Sequence, residues 1–225
     1  MQAYTGISVG GFVCPLDQGL FIFLDSNKNI YGIIVCFVDD MIYGGTNNLQ
    51  DTIIGHLKTT FEISSEHHQA FTYIGINIKQ KKDKSITVDQ ETYINQISQM
   101  KSLDQNSEEP LKTKEENTEF RGLVGQLNWA FGITRPEIGF EVCHASTKMT
   151  NPTSSDAHRI NKVVKQLRDN HNYILFPTMK ATELRLEIYT DASYNNLPKG
   201  GSQGGHLVFL RDNNNSCLIA WKFAG

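Results

Sequence analysis

Hydrophobic residues in the first part of the chain fall in short blocks separated by polar turns, a pattern that predicts paired β-strands. The turn cluster at 25–29 is rich in Asp, Ser and Asn, which favour tight turns. The predicted strands cover residues 19–24, 30–38 and 41–43. Gly44 and Gly45 end the last of these strands. Thr46 is then placed to cap a helix that we predict to continue through Thr59.

A second group of elements follows, with a strand pair around a basic turn. We predict strands at 71–78 and 85–88, a lysine-rich tip between them at 79–84, and a helix from Asp89 through Met100. The segment 102–118 is acidic and polar and contains Pro110. This composition is typical of a connection between packed regions, so we predict a linker there.

Three amphipathic helices and then three strands are predicted in the rest of the chain. The helices run from Phe120 to about Thr134, from Pro136 onwards, and after a cap at Thr153 or Ser154. The strands cover Leu184–Thr190, Gly204–Leu210 and Cys217–Trp221. Hairpin strands and separate runs of helices together predict an α+β fold.

Two adjacent carboxylates, Asp39 and Asp40, interrupt one of the most apolar parts of the chain. Burial of an ionised carboxylate without a partner is costly, so the pair lies on an exposed turn or is compensated by a cation. Adjacent aspartates at a hairpin tip suit two-metal nucleotidyl transfer, in which cations about 3.5–4 Å apart hold the attacking and leaving oxygens. An exposed type I′ turn, in which Asp is common, is the alternative.

Composition limits the size, the cellular compartment and the mode of nucleic-acid binding that we expect. The chain has 225 residues, 39% of them hydrophobic, enough for one large domain or two modest ones. The longest apolar run is strand-sized and the N-terminus lacks a secretory pattern, so we expect a cytoplasmic protein without a membrane span. Four scattered cysteines indicate free thiols in a reducing compartment. A net charge of −3 means that any grip on nucleic acid would rely on local basic patches.

Seven stretches of the chain form an ordered series. They are DQGLF at 17–21, FVDD at 37–40, FTYIGI at 71–76, VDQETYI at 88–94, FRGLVGQLNW at 120–129, TRPEIGF at 134–140 and YTDAS at 189–193. In this order they resemble parts of the copia-type retrotransposon Pol polyprotein: the strand before the catalytic hairpin, the metal-binding turn, the primer-grip hairpin, the start of the thumb, the connection region, and the opening strand of RNase H. The resemblance covers nearly the whole chain.

The resemblance implies a catalytic role for three carboxylates. Asp39 and Asp40 match the polymerase ligands for Mg²⁺ or Mn²⁺, and Asp191 matches the first metal-binding carboxylate of RNase H. Polymerase chemistry of this kind also needs a carboxylate from an upstream palm strand, and RNase H needs more carboxylates after its third strand. We therefore expect the chain alone to lack polymerase activity. Asp17 is a local candidate for the missing polymerase carboxylate, although we favour a structural role at the start of its strand.

The partners implied by the resemblance are an RNA or DNA template-primer and a dNTP. Phe37, Tyr73 and Gly75 match family positions near the primer, and Phe37 stands where the family most often has tyrosine. Arg159 and Lys162 belong to a basic helix that would follow a phosphate backbone. For this helix, as for the lysine-rich tip, an ordinary solvated face is the alternative.

The resemblance also implies three domains and a cellular setting. Residues 1–88 would form the C-terminal part of a palm, 89–180 the helices of thumb and connection, and 181–225 the first strands of an RNase H-like domain. The parent element would place such a protein in a cytoplasmic virus-like particle. Two alternatives remain open: a host-retained remnant that binds nucleic acid or protein, and a product that folds poorly because half a palm exposes a sheet edge.

Overall fold

The structure, a computed structural model, describes residues 11–101, 107–197 and 201–224, with the side chains of 195–197 and of residue 224 left out. The chain separates into two compact units, residues 1–68 and 69–225. Both units contain antiparallel sheet with helices. Residues 102–106 of the predicted linker lie outside the described residues.

The first unit is a four-stranded antiparallel sheet followed by a helical segment. Its strands, in the spatial order β1-β2-β3-β4, are β1 (Gly11–Cys14), β2 (Asp17–Leu24), β3 (Ile30–Phe37) and β4 (Asp40–Gly45). The helical segment consists of α1 (Asn47–Leu49), a π-helical turn (Gln50–Ile54) and α2 (Gly55–Thr60). Three predicted strands and the predicted helix are therefore present close to their predicted bounds. Thr46 precedes the helix in an extended conformation, but its side chain makes no capping hydrogen bond.

A small apolar core joins this sheet to its helical segment. The buried residues are Tyr31, Ile34, Leu49, Ile53 and Ile54. Apolar residues on one side of the helical segment therefore cover one part of the sheet, as the helical spacing of Leu49, Ile53 and Ile54 predicts.

The second unit begins with another four-stranded antiparallel sheet. Its strands, in spatial order, are β5 (Ala70–Tyr73), β6 (Ile76–Gln80), β7 (Ile86–Asp89) and β8 (Ile174–Phe176). The prediction of one strand over 71–78 is wrong, because Ile74 and Gly75 form a two-residue hairpin loop with φ of 51° and 74°. Two positive φ angles are the signature of a type I′ turn, and Gly75 meets this requirement without steric cost. Since the apolar alternation continues through the loop, the pattern alone did not reveal it.

Four helices form the body of the second unit: α3 (Glu91–Gln96), α4 (Lys114–Ile133), α5 (Gly139–Lys148) and α6 (Ser154–Asp169). Capping boxes begin two of them, at Thr113 with Glu116 and at Thr153 with Asp156. Helix α4 therefore starts inside the predicted linker, and Thr153 rather than Ser154 caps α6. Helix α3 is shorter than the predicted 89–100, and it follows Gln90 rather than Asp89.

A third sheet completes the second unit. It has the order β11-β10-β9, with β9 (Arg185–Leu197), β10 (Gly201–Arg211) and β11 (Ser216–Ala224) all antiparallel. The indole Nε1 of Trp221 on β11 donates to the carbonyl of Phe131 on α4 over 2.8 Å. Helices α3 to α6 share one buried apolar cluster that includes Phe120, Leu127 and Val164.

The division into compact units differs from the domain pattern implied by the resemblance. Strands β5–β7, which the resemblance assigns to a domain over 1–88, pair with β8 in the second unit. No helix in the described ranges is long and apolar enough to cross a membrane.

Candidate functional site

The tip that joins β3 to β4 carries the candidate polymerase carboxylates. Phe37 pairs with Asp40 across the hairpin, which leaves Val38 and Asp39 as a two-residue loop. Val38 has a φ of 56° and is 90% exposed, a backbone conformation that is strained for a β-branched side chain. Of the two loop residues only Val38 has positive φ, so the type I′ turn considered from sequence, which needs two, is not formed.

Both carboxylates at this tip face water. Asp39 and Asp40 are exposed, so neither bears the burial cost that their apolar neighbours suggested. Within the described ranges, neither of these two carboxylates forms a hydrogen bond or an ion pair with another residue. Their oxygens are therefore available to an external cation.

The donor set fits a Mg²⁺ ion that takes its remaining ligands from a substrate. Mg²⁺ prefers hard oxygen donors and is usually held by one or two carboxylates together with phosphates and water. Among the described residues no three His, Cys, Asp or Glu side chains gather to form a metal site. Asp17, the local candidate for a third ligand, instead accepts a hydrogen bond from the Gly19 amide over 2.9 Å at the start of β2.

An aromatic ring lies beside this tip. Phe37 is 55% exposed and is the cross-strand partner of Asp40. An exposed aromatic side chain next to two carboxylates offers an apolar platform beside a charged centre. The structure thus brings together three of the predicted residues, Phe37, Asp39 and Asp40, in the first unit.

Glu66 ties β4 of the same hairpin to the segment after α2. Its Oε2 accepts from Lys58 Nζ over 2.5 Å, and its Oε1 accepts from the Tyr43 hydroxyl over 2.5 Å. The hydrogen bond from Lys58, followed by that from Tyr43, lowers the pKa of Glu66 to about 2. No feature of the sequence identifies this contact, because its partners lie 8 and 23 residues away and follow no helical or strand spacing.

Replacing Glu66 by Gln is expected to destabilise the first unit in a pH-dependent way. A folded-state pKa below the ordinary 4.5 means that the carboxylate stabilises the fold above about pH 4.5 and loses this contribution as the pH falls towards 2. Because Glu66 is partly exposed, we expect a difference of about 1 kcal/mol between wild type and Glu66→Gln near neutral pH. Amide exchange of β3 at neutral and acidic pH measures this difference in stability. A difference that is the same at both pH values would contradict a stabilising role of the ionised Glu66 carboxylate.

Two of the three residues predicted to lie near the primer, Tyr73 and Gly75, are found at the β5–β6 hairpin of the second unit. Gly75 is exposed in this turn, and Tyr73 is partly buried at its edge. Neighbouring Ile74 has a φ of 51°, which is strained for a β-branched residue in the same way as Val38. The chain therefore reverses direction here instead of continuing as one strand.

The basic helix α6 is less available than its sequence suggests. The guanidinium of Arg159 donates to both carboxylate oxygens of Glu141, which raises the pKa of Arg159. Arg168 donates to the carbonyl of Ile97. Lys162 and Lys165 are exposed, and neither forms an ion pair with any described residue. Of the two residues predicted to contact nucleic acid on this helix, Lys162 is thus free among the described residues and Arg159 is paired.

Asp191, the predicted RNase H carboxylate, lies in β9 opposite Gly205 of β10. Its side chain is exposed, and its Oδ1 accepts from the Ala192 amide over 2.9 Å. In the part of the chain that the structure describes, no acidic cluster forms around it. Asp191 therefore stands as a single candidate ligand.

A buried arginine was missed by the sequence analysis. Arg135 is 1% exposed, donates from Nε to Glu137 over 2.6 Å, and donates from Nη1 to the Leu167 carbonyl over 3.2 Å. The sequence showed Arg135 only as part of the Thr-Arg-Pro junction between two helices. Its partner on α6 lies far along the chain, so no local pattern could predict the burial.

Two known proteins are similar to this chain over most of its length. A protein of Saccharomyces cerevisiae named for the transposon Ty5-1 is 23% identical over 211 residues, which cover 86% of this chain and 67% of that protein. An uncharacterized mitochondrial protein of Arabidopsis thaliana is 23% identical over 205 residues, 84% of this chain and 81% of its own length. No protein-family profile matches the chain. No solved structure matches it either.

Proposed function

Because the chain is a retrotransposon-related polyprotein fragment, as its resemblance to copia-type Pol predicted, we propose that it carries the late part of a reverse transcriptase and the first strands of an RNase H. The observation that carries this proposal is the exposed Asp39–Asp40 pair at the β3–β4 hairpin tip, where Asp39 lies in the two-residue loop and Asp40 begins β4 opposite Phe37. Such a tip presents carboxylates to substrate phosphates without the cost of burying them.

Each candidate residue would have a distinct role in this reaction. Asp39 and Asp40 would hold Mg²⁺ or Mn²⁺, which when bound neutralises phosphate charge and polarises the reacting oxygens. Phe37 would support the primer end with its exposed ring. Tyr73 and Gly75, at the β5–β6 turn, would contact the primer strand.

Nucleic acid and nucleotide are the proposed partners, in a cytoplasmic virus-like particle of the parent element. A template-primer of RNA or DNA would lie along exposed Lys162 of α6, whereas Arg159 is held by Glu141 and would act chiefly in folding. Asp191 would be the first RNase H ligand. In terms of domains, we propose late palm, then thumb and connection, then RNase H strands, in chain order.

A manganese titration tests the metal site directly. Mn²⁺ should broaden the amide NMR signals at residues 37–41 of the wild-type chain, because a paramagnetic ion held by two carboxylates relaxes nearby protons. The double variant Asp39→Asn with Asp40→Asn should lose this broadening. Asp51→Asn, which removes an exposed aspartate from the helical segment of the same unit, is the matched control and should keep it. Equal broadening in all three proteins would overturn the proposed site.

Primer extension on an RNA template tests the activity. The chain alone is expected to extend no primer, since the described residues provide no third carboxylate at the tip. Joined to the upstream segment of a copia-type reverse transcriptase, it should extend the primer, and Asp39→Asn should abolish extension. Extension by the chain alone that survives Asp39→Asn would contradict the assignment of the catalytic residues.

A second candidate function is a nucleic-acid-binding module without catalysis. The lack of a third carboxylate among the described residues favours it. Binding of nucleic acid that is unchanged in the Asp39→Asn, Asp40→Asn double variant, together with failure of the joined protein to extend a primer, would select this function over the first.

A further inference from the structure

The buried guanidinium of Arg135 keeps one nitrogen without a hydrogen-bond partner. Its Nε donates to Glu137 and its Nη1 donates to the Leu167 carbonyl. Its Nη2 is buried as well, and it donates to no described residue. Because a buried charged donor without an acceptor costs free energy, we expect Nη2 to take its acceptor from outside the chain.

Arg135 forms part of the wall of a small pocket in the second unit. The pocket has a volume of about 60 Å³. At about 10–15 Å³ for each water molecule, this space holds roughly four to six of them. A molecule of about five heavy atoms therefore fits the pocket, whereas a nucleotide is too large for it. Ile94 and Leu167 give part of the wall an aliphatic surface.

Two carboxylates also line this pocket. Asp89 ends β7, and Glu91 begins α3. The Oδ1 of Asp89 accepts from the Asn77 side chain and from the Glu91 amide, whereas its Oδ2 accepts from no residue in the described ranges. The Oε1 of Glu91 lies 3.3 Å from the Nδ1 of His171, another residue of the wall. The pocket thus combines a buried cation with carboxylate oxygens that can accept further hydrogen bonds.

The other polar residues of the wall add no formal charge inside the pocket. Asn95 and Asn172 have amide side chains, and Tyr173 has a phenol. The Nζ of Lys81 lies 5.9 Å from the centre of the Tyr173 ring, so one face of this ring is already occupied. A ligand would therefore meet one guanidinium and two carboxylates, with an imidazole beside one of the carboxylates.

We propose that this pocket binds a small free α-amino acid such as glycine, with its carboxylate on Arg135 Nη2 and its ammonium on Asp89 Oδ2 and Glu91. The α-carbon would lie against the aliphatic part of the wall. Since an α-amino acid carries both charges on one small molecule, it offsets the guanidinium and the carboxylates together. The site uses none of the residues assigned above to polymerase or RNase H chemistry, so it goes beyond the proposed function.

Ligands with charge of a single sign fit this wall less well. Inorganic phosphate would accept from Arg135 but would be repelled by the two carboxylates. A simple amine or a metal ion would be attracted by the carboxylates but repelled by the guanidinium. Among the described residues, moreover, no three metal-ligating side chains gather here. A small molecule with both charges is therefore the ligand that matches the wall.

Titration of the full, 15N-labelled chain with glycine, followed by amide NMR, tests the site. Glycine should shift the amide signals of Glu91 and Asn172 and saturate with a Kd of about 1 mM, an affinity that about five heavy atoms can provide. Glycinamide lacks the carboxylate, and N-acetylglycine lacks the ammonium. At equal ionic strength, each should bind at least about tenfold more weakly than glycine, because each loses one charged hydrogen-bonding group.

Glu91→Gln tests the contact with the ammonium. This variant should weaken glycine binding at least about tenfold, but it should not weaken the binding of N-acetylglycine, which has no ammonium. Glu119→Gln, which neutralises an exposed glutamate of α4 that does not line the pocket, is the matched control and should bind glycine like wild type. Because replacing Arg135 would also disturb the fold, glycinamide rather than an Arg135 variant tests the contact with the carboxylate.

Four results would each overturn the proposal. The first is an absence of shifts at about 50 mM glycine, which would mean that the pocket holds only water. The second is binding of glycinamide or N-acetylglycine as tight as that of glycine. The third is inorganic phosphate or methylammonium shifting the same signals as strongly as glycine does. The fourth is an equal loss of glycine binding in Glu91→Gln and Glu119→Gln.

Discussion

Replacing Arg135 by Met is expected to lower the free energy of unfolding of the second unit by about 3 kcal/mol. Met keeps much of the aliphatic volume, so the expected loss comes from the polar contacts rather than from a cavity. The Arg135 guanidinium donates to Glu137 in the following helical turn and to the Leu167 carbonyl near the end of α6. It therefore links the junction before α5 to α6. Removing it takes away the donor to the Leu167 carbonyl and the stronger of the two donors to the Glu137 carboxylate.

The magnitude of this effect follows from unequal burial of the pair. The Arg135 side chain is 2% exposed, whereas that of Glu137 is 33% exposed. Breaking a fully buried pair by deleting one partner costs about 3–5 kcal/mol, and water that reaches Glu137 places this case at the lower end. Asn172 also donates to Glu137 over 3.3 Å, which offers partial compensation.

Both tryptophans, Trp129 and Trp221, lie in the second unit, so denaturant unfolding followed by their fluorescence reports on this unit. Arg121→Met is the matched control: Arg121 is an exposed arginine of α4 that donates to the carbonyl of Met149 over 2.9 Å. It should cost no more than about 1 kcal/mol. Arg135→Lys should fall between the two, because one ammonium group cannot span both acceptors. Equal losses for Arg121→Met and Arg135→Met would refute the role of the buried guanidinium.

Gly45→Ala should unfold or severely weaken the first unit, whereas Gly44→Ala should be nearly neutral. A Cβ on Gly45 would lie 2.6 Å from the Tyr31 carbonyl oxygen and 2.8 Å from the Cα of Gly32. These are backbone atoms of the paired strand β3, which cannot rotate away as a side chain can. We expect a loss of about 3 kcal/mol, at the upper end of overpacking effects, in a unit with a small core.

The adjacent glycine provides an internal control for this prediction. A Cβ on Gly44 would meet no atom within 4 Å, so the same substitution one residue earlier should change stability by no more than about 0.5 kcal/mol. Amide exchange at Ile34 in the middle of β3 measures both variants, since the tryptophan signal does not report on the first unit. Similar protection of Ile34 in the two variants would show that the close approach at Gly45 is not constraining.

Sequence patterns predicted helices and strands well where these elements depend on residues that are close together along the chain. The β3–β4 hairpin and its carboxylate tip were placed to within a residue or two, because two apolar blocks around a polar interruption leave few other arrangements. The error at 71–78 has a physical cause: Ile74 occupies a left-handed conformation that β-branched residues seldom adopt. A turn built from an isoleucine gives no polar signal, so hydrophobic patterning did not show it, whereas Gly75 and the resemblance of residues 71–76 to a primer-grip hairpin did indicate it.

The candidate sites were predictable in part, for a related reason. Exposure of Asp39 and Asp40 follows from their place at a hairpin tip, where Asp39 lies in the loop and Asp40 begins β4. The loss of Arg159 and Arg168 from the basic helix does not, because their partners Glu141 and Ile97 lie on other elements. A helical wheel shows which residues share a face but not what packs against that face, so it cannot distinguish a free cation from a paired one.

The contacts that β8 and Trp221 make in the second unit affect the order in which parts of the chain fold. Val88 of β7 pairs with Ile174, and Trp221 bonds to Phe131, so both contacts join residues far apart in sequence. The first unit, in contrast, is built from consecutive hairpins with short connections. Contacts between distant residues form slowly because a long loop must close first. During synthesis we therefore expect the Asp39–Asp40 hairpin to form while β7 still has an open edge, which β8 covers only after α4, α5 and α6 have been made.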